Sequence, residues 1–120
     1  MGSAREDRAI AALLRGNAEF QPIRAPDGSK AYNLVMYRCD NNDELLRFVP
    51  SIKSIKGIDL AARPLNEAGM LSLRKVEGLL FLNVRGAHLS NEQYLALERE
   101  MKPRNPGLEM SGSYRWVELK

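Results

Sequence analysis

The sequence predicts an α/β protein: a short solenoid of strand–helix units, with parallel strands on a concave face and helices on a convex one. Three observations carry this expectation. Ile55, Ile58, Leu60, Leu65, Met70 and Leu73 recur 24 residues later as Leu79, Leu82, Val84, Leu89, Tyr94 and Leu97. Each copy opens with apolar residues spaced i, i+3, i+5, a strand entering a turn, and then changes to helical spacing. Helix-capping residues, Asn66 and Ser90, stand at the change in both copies. With 44% of the chain hydrophobic, six specified positions are all apolar by chance only about once in a hundred registers.

Composition bounds the rest. A chain of 120 residues is one domain's worth, and 28% charged residues beside 44% hydrophobic ones argue for a folded globular protein. The formal charge is +3, but 18 basic residues are interleaved with 15 acidic ones, so no basic arm is evident. One cysteine, Cys39, cannot form an internal disulfide, and with the single histidine, His88, it cannot complete a zinc site. No apolar run is long enough to span a bilayer, and the N-terminus lacks the apolar core of a signal peptide. A reducing, cytoplasmic setting is the expectation.

The elements follow in order. Residues 1–30 are expected to form an N-terminal cap. Ser3 and Glu6 have capping-box spacing, and Ala9, Ile10, Leu13 and Leu14 form a helical stripe that Gly16 ends. Residues 20–23 read as a strand that Pro22 confines to an edge. Pro26, Asp27, Gly28 and Ser29 supply turn chemistry, and a second strand over 32–37 completes the hairpin while opening the repeat array.

Residues 31–111 then hold about four units. Running the period backwards gives an imperfect first unit through Leu34, Met36, Leu46, Val49 and Ile52, with a polar cap at residues 40–43 and Pro50 shortening its helix. The second has a strand over 57–61 ended by Pro64, then a helix capped by Asn66 that carries Ala68, Met70, Leu71 and Leu73. The third has a strand over 80–85, a turn at Gly86, a Ser90/Gln93 capping box, and a helix carrying Tyr94, Leu95, Leu97 and Met101. The fourth strand, 108–110, arrives after a loop two residues longer, and 112–120 with Trp116 closes the core's open end.

With these residues laid out, the chain resembles the leucine-rich-repeat proteins abundant in planctomycete bacteria, whose unit reads roughly L-D-L-S-G-T-x-V-T-D-A-G-L-x-x-L. Residues 58–73, I-D-L-A-A-R-P-L-N-E-A-G-M-L-S-L, match it without a gap. Residues 82–97, L-N-V-R-G-A-H-L-S-N-E-Q-Y-L-A-L, match nearly as well, and residues 106–110 look like the family's P-x-L-x-I ending. The resemblance covers most of residues 8–110. It departs at Arg63 and Ala87, where a ladder asparagine or cysteine usually sits, and at Gln93, which replaces a glycine. It implies a fold and says little of activity, since such repeats are a scaffold for grafted sites. A regulatory STAS-like domain is the alternative suggested by residues 58–60 and 66–71, but Ala68 stands where that family has its phosphorylatable serine.

The chemistry available points to binding. His88 and Cys39 are 49 residues apart, carboxylates are scattered, and no glycine-rich phosphate loop occurs, so no enzyme and no cofactor are expected. Along repeat strands side chains alternate between core and outer face. If Ile58 and Leu60 point inward, then Gly57, Asp59 and Ala61 point outward. Phe81, Asn83 and Arg85 do so from the third strand, Asn33, Val35 and Tyr37 from the first, and Gly107, Glu109 and Ser111 from the fourth. Tyr37, Asp59, Phe81, Asn83, Arg85 and Glu109 are therefore the candidate partner-binding residues, aromatic and arginine side chains among polar groups. The expected role is an adaptor binding another protein, with a homodimer as one way to enlarge a small surface. The alternative is nucleic-acid binding along an edge formed by Lys53, Lys56, Arg74 and Lys75 with Arg85.

Overall fold

The computed structural model describes residues 4–60 and 65–111. Ser3, Ala61, Arg63, Pro64 and the expected cap over 112–120, with Trp116, lie outside them.

The first element is a helix, α1 (Ala4–Arg15), which buries Ala9 and Leu13. Its end differs from expectation. Asn17, not Gly16, takes the left-handed conformation, at φ 73°. The Asn17 N–H donates to the Leu14 carbonyl at 3.1 Å and the Ala18 N–H to the Leu13 carbonyl at 3.0 Å, which together make a Schellman motif. Gly16 serves packing instead, for a Cβ there would lie 2.5 Å from the Leu45 side chain.

Strands β1 (Glu19–Arg24) and β2 (Lys30–Val35) form the expected antiparallel hairpin. Gly28 turns it at φ 86°, and the Asp27 carboxylate accepts from the Ser29 N–H at 2.9 Å and its hydroxyl at 2.6 Å. These bonds hold the Asp27 carboxyl below its ordinary pKa, the hydroxyl contributing most. Pro22 is tolerated for a specific reason. It faces Tyr32, whose N–H is turned the other way toward the Ser54 carbonyl, so the donor that proline lacks would have pointed off the edge.

From β2 onward the strands are parallel. Helix α2 (Asn42–Leu46) and a 3-10 turn (Val49–Ser51) lead to β3 (Ile55–Asp59); α3 (Glu67–Arg74) leads to β4 (Phe81–Asn83); α4 (Asn91–Met101) leads to β5 (Glu109–Ser111). The five strands lie side by side in sequence order. The register keeps the period through the first three parallel strands, where Leu34 pairs with Ile58 and Ile58 with Leu82. Leu82 pairs with Met110, so the last connection is longer than the two extra residues expected, and Met110, not Leu108, stands beside Leu82. One bond repeats at each parallel junction. Met36 donates to Asp59 at 2.9 Å, Leu60 to Asn83 at 3.1 Å and Val84 to Ser111 at 3.0 Å.

The core lies between sheet and helices, where Leu34, Ile58 and Leu82 meet Leu46, Leu73 and Leu97, all of them essentially inaccessible. Full burial of one such leucine stabilises the fold by about 2–3 kcal/mol. Caps fix where each helix starts. Asn41 accepts from Glu44 and Asn66 from Gly69, and Ser90 and Gln93 form the reciprocal capping box. Asp43 adds a tie between units by accepting the Asn66 N–H at 2.7 Å. Leu71 and Leu95, one period apart, stay exposed on the outer side of α3 and α4, as does Ala68.

The fourth unit departs from the others. The longer connection before β5 carries Asn105, fully buried. Its Oδ1 accepts the Leu79 N–H at 2.7 Å, and its Nδ2 donates to the carbonyls of Val76 at 2.9 Å and Met101 at 2.8 Å. Beyond it, the carbonyls of Leu108, just before β5, and of Met110 within it point away from β4. The Lys102 ammonium donates to the first at 2.9 Å and the Tyr94 hydroxyl to the second at 3.0 Å.

Candidate functional site

The sheet face opposite the core is ordered by register into two rows of side chains. Gln21, Asn33, Gly57, Phe81 and Glu109 lie across the five strands in one row. Glu19, Val35, Asp59, Asn83 and Ser111 lie across them in the next. Adjacent members are about 4.8 Å apart across the sheet. Four of the six residues expected to bind a partner, Asp59, Phe81, Asn83 and Glu109, fall in these rows. They line a cleft of about 500 Å³ together with Asn33, Ser111, and Ile23 and Arg24 of the hairpin.

Within the cleft a polar ladder sits on a bare stretch of backbone. Gly57 has no side chain, and the Asn33 amide lies over it, so that a Cβ there would collide with Asn33 Oδ1. The Asn33 Nδ2 donates to Asp59 Oδ2 at 3.0 Å and reaches Gln21 Oε1 at 3.5 Å. Asn83 Oδ1 accepts the Arg85 N–H at 2.9 Å. Among these polar groups Phe81 is 51% exposed, a large apolar side chain held in water by the strand that carries it. Arg24 is drawn toward its own turn by a 3.2 Å bond to the Gly28 carbonyl.

Two of the six residues are placed elsewhere, for one physical reason. The strands were expected to run to Tyr37 and Arg85, but pairing ends at Val35 and Asn83. The chain then turns, with Cys39 donating to the Met36 carbonyl at 3.1 Å and Ala87 to the Val84 carbonyl at 3.0 Å. Each turn carries a small residue, Cys39 or Ala87, into the core, and that lifts Tyr37 and Arg85 off the sheet. Tyr37 is exposed beyond the end of β2, while Phe81 opens β4, so the two aromatics stand at opposite ends of the strands. Val35 lies in the second row, on the outer face as expected, and is buried there.

The basic edge proposed from the sequence is altered too. Arg74 lies 2.9 Å from a Glu100 carboxylate oxygen, within ion-pair range though off the line of a hydrogen bond, and 3.5 Å from Glu67. Its charge is committed within the fold. His88 is exposed in a turn, in the left-handed conformation at φ 56°. Burial, with the Asp40 carboxylate adding to it, pushes the Cys39 thiol above its ordinary pKa. Among the described residues no group of three histidine, cysteine or acidic side chains could hold a metal ion, and no helix is long and apolar enough to cross a membrane.

The functional residues that sequence reasoning missed are Asn33, as the group that orients Asp59, and Arg24. Alternation alone had placed Asn33 on this face, but its partner became visible only with the register. In comparisons with known proteins, neither a family model nor a curated protein nor a solved structure matches the chain.

Proposed function

We propose that the sheet and its helices are a short leucine-rich-repeat solenoid whose concave face binds another protein, with no catalytic role. The observation that carries this reading is Phe81, half exposed in a cleft between Asp59, Asn83 and Glu109 on the face away from the core. An exposed aromatic ringed by polar groups is the composition of an interface hot spot. Four parallel strands offer a small surface, so the affinity of a single domain is modest unless dimerisation or further contacts enlarge it.

The test is a pull-down from native lysate with the wild type and a Phe81→Ala/Asn83→Ala double mutant, after circular dichroism has established that both fold. A partner retained by the wild type and lost from the mutant supports the reading. The same partners on both variants would sink it. Capture that collapses as salt rises would turn attention to nucleic acid, since phosphate contacts are released steeply by salt.

A further inference from the structure

We infer that the cleft recognises an arginine side chain presented by the protein partner, its guanidinium stacked on Phe81 between the Asp59 and Glu109 carboxylates; this rests on the reading of the face as a protein-binding surface. Three features of the cleft converge on that chemistry. The first is charge. The cleft holds two carboxylates against one cation, Arg24, while the chain as a whole is +3. Arg24 is also tethered to its own turn. The locally acidic site therefore opposes the sign of its protein.

The second feature is the arrangement around the ring. Glu109 is the direct cross-strand neighbour of Phe81, while Asp59 stands diagonally from it on the opposite strand, two residues beyond Gly57. The aromatic side chain thus has a carboxylate on either side. A cation over a ring with carboxylates flanking it gains from all three, and a planar guanidinium can stack and donate in its own plane at once. A lysine ammonium, a point charge, cannot do both.

The third is preorganisation. Asn33 occupies Asp59 Oδ2 at 3.0 Å, and among the described residues Oδ1 has no partner. One oxygen is thereby used to orient the carboxylate and the other is left as an acceptor. Gly57, beside Phe81, carries no side chain, and the space over it is filled by the Asn33 amide that makes the bond to Asp59.

The experiment titrates isotopically labelled protein with N-acetyl-arginine amide and with N-acetyl-citrulline amide, a neutral analogue of nearly the same shape, following backbone and side-chain amide resonances. The arginine compound should shift Gly57, Phe81, Glu109 and the Asn33 side chain with one saturable curve, and citrulline should bind at least about tenfold more weakly. Glu109→Gln, an exposed change that leaves the Asn33–Asp59 bond untouched, should weaken arginine binding, and Asp59→Asn should weaken it further. Equal binding of citrulline, or no saturable shift, overturns the inference. A random-peptide selection separates this from the underlying reading. Peptides that depend on Phe81 but carry no conserved arginine would overturn the inference and leave the protein-binding face intact. Peptides indifferent to Phe81→Ala would overturn both, and Phe81-dependent peptides sharing an arginine support both.

Discussion

The side-chain oxygen of Asn105, in the connection between α4 and β5, accepts the backbone N–H of Leu79 at 2.7 Å. A buried amide is tolerable here because all its bonds are made, two as donor and one as acceptor. Replacing it by leucine adds apolar surface to the core but strands two backbone groups, the Leu79 N–H and the Val76 carbonyl. The Met101 carbonyl keeps the backbone N–H groups of Arg104 and Asn105. Asn105→Leu should therefore lower stability by about 3 kcal/mol in urea unfolding, where an apolar-core argument alone expects a gain. Asn105→Ala should cost at least as much.

Gly69 opposes helix propensity in the same way. Alanine in a helix is ordinarily favoured over glycine by about 1 kcal/mol. Here a Cβ would strike the Asp43 carboxylate and the Leu65 side chain, and Asp43 is the group that accepts the Asn66 N–H. Gly69→Ala should destabilise by about 1 kcal/mol, and the sign should reverse when Asp43→Ala is already present. Equilibrium unfolding of the four variants of this cycle decides it.

Cys39 should be almost inert in the native protein. Its burial disfavours the thiolate, so its contribution to stability is present below the pKa of the unfolded thiol and is lost as pH rises through the higher folded value. Reaction with a thiol-specific disulfide reagent at neutral pH should be about a hundredfold slower than in urea, and should track local opening instead of free thiolate.

Asp27 carries the opposite sign. Its folded carboxyl is held below the ordinary value by Ser29, so the hairpin turn gains from the ionised form above that value and loses the gain as pH falls through the lower folded one. Carboxyl titration by NMR should show an upward move of the Asp27 midpoint in Ser29→Ala, most of it from loss of the hydroxyl donor.

Much of this fold was legible because a 24-residue period makes the same demand at each repeat, and the register pairs residues one period apart from Asn33 through Asn83. Asn66 and Ser90 were readable as caps because capping is local. Strand length was less legible. Tyr37 and Arg85 continue the alternation on paper, and what ends the strand is a small buried residue two positions later, Cys39 or Ala87, which the period places at one site in both units. The last strand was read two positions early because the loop before it is longer than the period suggests, and the buried Asn105 lies within that loop. The part of the cleft contributed by Ile23, Arg24 and Asn33 depends on how the hairpin meets the parallel strands, and no local pattern encodes that.

Among the described residues, the two edges of the sheet, β1 and β5, bear on how such a sheet avoids adding strands from another molecule. Exposed strand edges are an invitation for one molecule to continue another head to tail, in filaments. At β1 the outward backbone lacks a donor, at Pro22. At β5 the outward carbonyls of Leu108 and Met110 are already engaged by Lys102 and Tyr94. One terminus refuses an incoming strand by omission and the other by occupancy. Pairing of a further strand through those carbonyls would need Tyr94 of α4 and Lys102 at its C-cap to give up these bonds.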